Sequence, residues 1–438
     1  MQAVDLNPYI DIVQKIDPLR VYGRIVEITG ILIKCTGVKA TVGETCLIYS
    51  GNGTAVDAEV VGFKDGKMLL MATGDISLIR PGSRIRAMGR KVSVRVGQQL
   101  IGRVVNEAGE PLDGMGPIRA EHYPLNPSLI NPLQRERISE PIDLGISAIN
   151  GLLTIGKGQR VGIMSGAGVG KSVLLGMMAK YTHADLNVIS LIGERNREVR
   201  EFIERDLGPE GMKRSIVVVT TSEQSPVAKV RNAFVATAIA DYFRAQGKDV
   251  LLFMDSLTRV AMAQREIGLA TGEPPASKGY TPSVFALLPR LLERAGTIKG
   301  KGSITGLYTV LVEGDDLTDP VADTATSILD GHIVLSRELA MENHYPAINI
   351  LRSISRVMPD IINDRHKTVA GKFMETMAVY KRFEDMINLG AYKEGSNPKV
   401  DFALSMIDKL NAFLRQGMTE QRDFKITITK LFELFQVK

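Results

Sequence analysis

The sequence predicts an α/β protein with a mainly parallel central sheet, a small β domain on its N-terminal side and helices on its C-terminal side. Three observations carry this. From about Ile142 to Met358, apolar runs of strand length alternate with runs of helical length, the pattern of a parallel sheet covered on both faces. From Val21 to about Val96, short β-rich runs are separated by Gly-Asn-Gly, Lys-Asp-Gly and Arg-Pro-Gly turns, as in a small antiparallel barrel or sandwich. Beyond about His366 the strand signal thins and amphipathic helical runs remain.

Taken in order, residues 5–17 read as a helix. Leu6, Tyr9, Ile10, Val13 and Ile16 recur at spacings of three and four, with Pro8 in the first turn. It is either a helix packed on its own domain or a docking helix for a partner. Strands follow at Tyr22–Ile33, Glu44–Tyr49, Ala55–Phe63 and Met68–Ala72. Residues 102–141 carry turn signals and a Pro-rich connector, Pro124 to Pro132. In the middle region, Asn187–Ile192, Ser215–Thr220, Val250–Met254 and Thr305–Val312 read as buried strands. Val199–Leu207, Val227–Gln246, Ser283–Ala295 and Asp323–Leu329 read as helices. The tail reads as helices at Phe373–Leu389, Val400–Arg415 and Thr419–Phe435, with no internal repeat.

The whole-chain numbers exclude several classes. The 438 residues are 44% hydrophobic and 24% charged, an ordinary globular balance. A net charge of +5 over this length permits an acidic partner without demanding nucleic acid. Cys35 and Cys46 are the two cysteines, with no Cys/His pattern at metal spacing, so a reducing cytoplasm fits. No apolar run reaches the ~18 residues of a membrane span. The N-terminus lacks a secretory pattern.

The most informative segment is Ser165-Gly166-Ala167-Gly168-Val169-Gly170-Lys171-Ser172, between the apolar run Val161–Met164 and the helical run Val173–Tyr181. Strand, glycine loop and helix in that order make a phosphate-binding loop. The glycines let backbone N–H groups curl around phosphate oxygens, and the helix dipole adds to the attraction. Lys171 is then placed for the β- and γ-phosphates and Ser172 for Mg²⁺. Ser165 stands where the first glycine is expected.

Two strand ends bear carboxylates. Val250–Met254 ends in Asp255, about 85 residues after the phosphate loop, suited to orient Mg²⁺ through water. Leu191-Ile192-Gly193 ends in Glu194, which is either a water-polarising carboxylate or a surface residue of the charged run to Arg205. Arg356, after the apolar run Ala347–Leu351, is either a surface or interface arginine or one that reaches a phosphoryl group across a subunit boundary.

The blocks GERNREVREFIERDLGPEG, DVLLFMDSLTRVAMAQREIGLATGEPP, KGYTPSVFALLPRLLERAG and YPAINILRSISRV closely resemble the flagellar type III export ATPases, relatives of the catalytic subunit of rotary ATP synthases. The resemblance runs from about Val21 to the C-terminus. It implies a RecA-like phosphate-loop core with an N-terminal β-barrel and a C-terminal helical domain. The segments are then a partner-docking helix at 1–20, a barrel at 21–96, an ATP-binding domain at 97–365 and a helical domain at 366–438. It implies Mg²⁺-ATP hydrolysis coupled to protein export, with a virulence injectisome ATPase as the near alternative. RNA translocases share such a core, but the N-terminal domain lacks an aromatic, basic single-strand platform, and no nucleic acid is expected.

By position, the resemblance gives nucleotide contacts to residues 166–173, including Val173. It makes Lys171 and Ser172 the phosphate and Mg²⁺ contacts, Glu194 the water-activating carboxylate and Asp255 the Mg²⁺-orienting one. Arg195 braces the region, and Arg356 is donated to a neighbour's site. Tyr345 and Tyr392 would lie near the adenine. Asn196 replaces the glycine usual after Gly-Glu-Arg, and asparagine tolerates the left-handed geometry a turn there could need. The implied assembly is a cytoplasmic homohexamer, peripheral at the inner-membrane export gate. Its partners would be a stator-like dimer on the N-terminal helix, a coiled-coil shaft protein in the ring's central hole, which Arg265–Ser277 would line, export substrates and chaperones.

Overall fold

The computed structural model describes residues 20–51, 53–125, 130–312 and 318–436. The expected helix at 5–17 lies outside the described residues. The described chain divides into a first unit, running to Val92 and taking in Ala270–Gly272, and a second holding the remainder.

The first unit is a closed six-stranded barrel, β1 (Gly23–Thr29), β2 (Leu32–Thr36), β3 (Glu44–Tyr49), β4 (Ala55–Lys64), β5 (Lys67–Ala72) and β6 (Arg84–Lys91), in the order β1-β2-β5-β4-β3-β6. The expected run Tyr22–Ile33 is broken in two, because Gly30 adopts φ +56 and reverses the chain between β1 and β2. Sequence reading missed β6, whose RIRAMGRK lacks a clean apolar face, although Ile85 is fully buried. Inward residues of alternate positions, among them Ile33, Cys35, Cys46, Ile48, Leu70 and Ile85, form one apolar core.

The second unit is built on a sheet that runs β17-β16-β10-β15-β13-β11-β12-β8, with β14 pairing β15 off that path. Its strands are β8 (Val104–Val105), β10 (Arg160–Ser165), β11 (Leu186–Glu194), β12 (Ser215–Thr221), β13 (Val250–Asp255), β14 (Gly296–Thr297), β15 (Ser303–Leu311), β16 (Gly331–Val334) and β17 (Ile354–Ser355). β7 (Ser93–Val96) and β9 (Glu121–Pro124) make a separate pair. The ladders from β16 through β10, β15, β13 and β11 to β12 are all parallel. Every residue of β11 and β13 is buried, which is why both read as mainly apolar runs, broken in β11 by Asn187 and Ser190.

The principal helices are α1 (Ser147–Leu152), α2 (Lys171–Tyr181), α3 (Asn196–Glu201), α4 (Pro226–Ala245), α5 (Leu257–Thr271), α6 (Pro282–Leu292), α7 (Pro320–Ile328), α8 (Asp364–Asn388), α9 (Pro398–Leu414) and α10 (Phe424–Leu434). Side-chain caps fix several starts: Ser225 accepts from Ala228, Asn363 from His366 and Asp423 from Ile426. The cap at Asn363 starts α8 nine residues before the expected Phe373. The last three helices pack on α1 through Phe373, Leu410, Phe413 and Leu431, in one core with Ile149 and Leu152.

The expected helix Val199–Leu207 is α3 continued by one wide, π-type turn over Phe202–Leu207. That turn presses on α2 at Gly176. A β-carbon at Gly176 would stand 2.5 Å from the Asp206 carbonyl oxygen and 2.8 Å from its carbon. An alanine gains about 1 kcal/mol of helix propensity, but overlap with main-chain atoms that cannot step aside costs about 1–3 kcal/mol or more. Gly176→Ala is therefore expected to lower unfolding stability by about 1–2 kcal/mol. Denaturant titration checks this; a variant as stable as the parent would show that the two segments separate freely.

Candidate functional site

The site grows from the carboxyl ends of β10, β11 and β13, where a parallel sheet offers ligands its helix N-termini. β10 ends at Ser165 and α2 begins at Lys171, with residues 166–170 as the loop between them. Gly168 and Gly170 adopt φ +77 and +86, which favour glycine. Gly170 has no side chain to cap α2, so the N–H groups of Lys171, Ser172 and Val173 are left for an acceptor from outside the helix. Val169 is buried, while Ala167 and Gly168 face outward.

Lys171 Nζ bonds Asp255 Oδ1 at the end of β13 and lies 4.0 Å from Glu194 Oε1. Thr309 of β15 donates its hydroxyl to the same Asp255 oxygen at 2.7 Å. The three residues that sequence reading singled out separately are thus gathered at the carboxyl ends of β10, β13 and β11, with β15 between the first two. Glu194 stands beyond the regular ladder: pairing slips between Ile192 and Glu194, and Gly193 turns at φ +67. Arg259 of α5 fills the space a β-carbon of Gly193 would need. It bonds the Gly193 carbonyl and reaches Glu194 Oε2 at 3.4 Å.

Glu194 is 9% exposed. Burial first, then a hydrogen bond shared with Glu198 and the nearby charge of Asp255, push its carboxyl up to about 7, against the pull of Lys171 and Arg259. Glu198, held by Arg195 at 3.2 Å, is lowered by the same hydrogen bond. Arg195 itself is largely exposed ahead of α3. Asn196 is the first residue of α3 and is not left-handed; Gly193 makes the turn instead.

The remaining candidates lie elsewhere. The Tyr345 ring rests on the phosphate loop, 3.3 Å from where a β-carbon of Gly170 would be. Tyr392 lies between α8 and α9 with its hydroxyl on Asp401 at 2.8 Å. Arg356 follows the edge strand β17. Its guanidinium rests on the carbonyls of Leu329 and Thr326 at 3.2 and 3.4 Å, not on the Lys171 group. The Ser165 hydroxyl is fully buried and has no hydrogen-bond partner among the described residues. Sequence reading missed Arg259, Thr309 and Glu198. Arg259 is four residues after Asp255 on the next helix and Glu198 one helical turn after Glu194, spacings that bring residues together only once the strand ends are known. No described helix is long and apolar enough to cross a membrane.

A parallel sheet, a glycine loop opening a helix, and a lysine flanked by two strand-end carboxylates define a phosphate-loop nucleotide-binding fold. The comparisons with known proteins agree. The nucleotide-binding domain of the ATP synthase alpha/beta family matches residues 145–355, and that family's beta-barrel domain matches 25–89. The C-terminal domain of the type III secretion ATPase EscN matches 362–433. The flagellum-specific ATP synthase of Bacillus subtilis is 51% identical over 433 residues, covering 97% of this chain and 98% of the relative. The type 3 secretion system ATPase of Xanthomonas euvesicatoria is 47% identical over 94% of this chain and 93% of its own. The solved structure of the assembled ATPase EscN from enteropathogenic E. coli aligns with a TM-score of 0.89 at 42% identity, over 94% of this chain and 99% of EscN. EscN in complex with its central stalk EscO aligns with a TM-score of 0.86 at 41% identity, over 94% and 99%. The chain belongs to the ATP synthase alpha/beta family, in its branch of flagellum-specific ATP synthases and type III secretion ATPases, and is a nucleotide-binding ATPase of that branch.

The buried Glu194 sets a pH dependence of stability. Its folded-state pKa lies above the unfolded value of 4.5, so the folded protein holds the extra proton between about pH 4.5 and 7. Stability contributed by this group therefore falls as pH rises through that window. Glu194→Gln removes the buried charge. The variant should be more stable than the parent at pH 8, by on the order of 1 kcal/mol, with the gain fading below the window. Melting of nucleotide-free protein at several pH values checks this; a gain independent of pH would contradict the assignment.

Proposed function

We propose that the protein is the Mg²⁺-ATP-hydrolysing ATPase of a flagellar type III export apparatus, working as a homohexamer. The observation that carries the chemistry is the gathering of Lys171, Glu194 and Asp255 under the N-terminus of α2. The run of flagellum-specific relatives at 51, 50 and 49% identity favours the flagellar member over an injectisome ATPase.

In this reading the N–H groups of residues 166–173 cradle the phosphates of ATP. Lys171 exchanges its bond with Asp255 for one to the β/γ-phosphates, which frees Asp255. Mg²⁺ suits the donor set: a hydroxyl at Ser172 and a carboxylate at Asp255 are hard oxygen ligands, enough for an ion that keeps several waters. When bound, the ion neutralises charge on the β- and γ-phosphates. Glu194, turned out of the sheet by Gly193 and steadied by Arg259, accepts a proton from the attacking water. Arg195 holds Glu198 beside it. Tyr345, against Gly170, flanks the base; Tyr392 has weaker support, since its hydroxyl is taken by Asp401.

Arg356 supplies positive charge to a neighbour's transferring phosphoryl group. Its exposed tip rests on the Leu329 and Thr326 carbonyls, not on the Lys171 group, and one chain carries both halves of such a site, as a homo-oligomeric ring requires. The stator-like dimer at residues 1–20, the export substrates and chaperones, and a place at the cytoplasmic face of the inner-membrane export gate belong to the same proposal.

The decisive test is complementation. Lys171→Ala, Glu194→Gln and Arg356→Ala should each lose turnover by about 100-fold or more, while Glu194→Gln retains nucleotide binding. In mixed rings of Arg356→Ala and Lys171→Ala, some interfaces pair an intact loop with an intact arginine, so activity should return. If subunits demonstrably mix and activity stays at the single-variant level, Arg356 is not donated across an interface.

The stalk assignment rests on the segment Arg265–Ser277, which closes α5 and turns at Gly272 with φ +92. Cysteines at Ala270 and Thr271 should crosslink to the apparatus's coiled-coil shaft protein, as EscN's complex with its central stalk suggests. Crosslinks only to proteins on the ring's outer rim would overturn it.

A further inference from the structure

Arg356 has a firmly held base and a lightly held tip. Its backbone N–H donates to the Asp330 carbonyl at 3.0 Å. Gln159 Nε2 donates to that same carbonyl at 3.1 Å and to Ser355 Oγ, the residue just before Arg356, at 3.1 Å. Ser355 Oγ donates onward to the Thr154 carbonyl at 2.8 Å. Gln159 Oε1 accepts from Gly156 N–H at 2.8 Å, so both ends of a fully buried amide are used. Behind it, Arg160 grips Asp330 through its backbone N–H, Nε and Nη2, each at 3.0 Å. Gly331 lets β17 come close: a β-carbon there would stand 2.4 Å from the Ile354 carbonyl.

Only an amide fits the Gln159 position. It must donate twice, to Asp330 and Ser355, and accept once from Gly156; an ionised carboxylate donates nothing, and a methionine donates nothing and accepts only weakly. The guanidinium, by contrast, is exposed and rests on two carbonyls at 3.2 and 3.4 Å. The contacts at the base are the ones that set where the tip can reach.

We propose that Gln159 is the positioning residue that aims Arg356 at the neighbouring subunit's phosphate site, with the Arg160–Asp330 pair as its anchor. The inference rests on the reading of Arg356 as a donated arginine. It assigns to the residue just before the phosphate-loop strand β10 a function in the adjacent subunit's catalysis. A residue that merely braces the Gly156 turn would affect its own chain.

Mixed rings separate the two. Gln159→Met, close in volume, should fold and bind nucleotide with the parent's affinity, yet turn over roughly 10- to 100-fold more slowly, the scale of a misplaced group. Mixed with Lys171→Ala it should regain activity, since that partner supplies a well-aimed arginine. Mixed with Arg356→Ala it should not, since neither partner does. Parent-like turnover of folded Gln159→Met overturns the proposal. So does recovery with Arg356→Ala but not with Lys171→Ala, which would put the lesion on the phosphate-loop side. Failure of the Arg356→Ala and Lys171→Ala pair itself would instead reject the donated arginine, and this inference with it, in a control that contains no Gln159 variant. Should melting show Gln159→Met to be unfolded, Ser355→Ala removes one arm of the fork and is read by the same pattern of recovery.

Discussion

The site depends on one buried ion pair, Lys171 with Asp255, and on the parallel ladder that brings them together. Asp255 closes β13, Lys171 opens α2 after β10, and β15 lies between the two strands. Thr309, from that intervening strand, donates to the Asp255 oxygen that Lys171 also holds. A charge in such a place must be partnered, because an unpaired carboxylate away from water is costly. The same pairing keeps the lysine extended along the strand ends, next to Glu194. The phosphate loop, the start of α2 and both carboxylates are therefore brought together by strand order and held by these side-chain contacts.

Much of this was legible in the sequence, and for stated reasons. Glycines at 168 and 170 ahead of Lys-Ser after an apolar run leave few alternatives to a phosphate loop, and both adopt left-handed geometry. The fully buried strand β13 is apolar up to Asp255, and β11 is mostly so, with Asn187 and Ser190 as its internal polar residues. Arg259 and Thr309 escaped because their partners are fixed by sheet order. Nothing in one dimension says that β15 lies beside the end of β13, or that the helix after β13 reaches the end of β11. β6 escaped because only one of its two faces meets the core and its residues look like a loop. Asn196 was read as a turn residue; the turn falls three positions earlier, where glycine was already available.

Charge is spent unevenly across the molecule. The pairs along α3 and the wide turn that continues it, Arg197 with Glu201 and Arg200 with Glu204, are largely exposed and contribute little individually. The group formed by Arg244, Asp241 and Arg294 is nearly buried, and each arginine also donates to backbone carbonyls. Removing one member there would strand the others in a low-dielectric setting. Such a network fixes α4 against the loop after α6 and gives the strands of the sheet a rigid back wall.

The close approach of Gly176 to Asp206 has a mechanical meaning. The phosphate-loop helix and the wide turn that follows α3 touch through main-chain atoms, without a compliant side chain between them. The wide turn over Phe202–Leu207 is thus seated directly on α2. A displacement of α2 at Gly176 would be felt directly by the main chain of the wide turn that continues α3, the helix that carries Glu198.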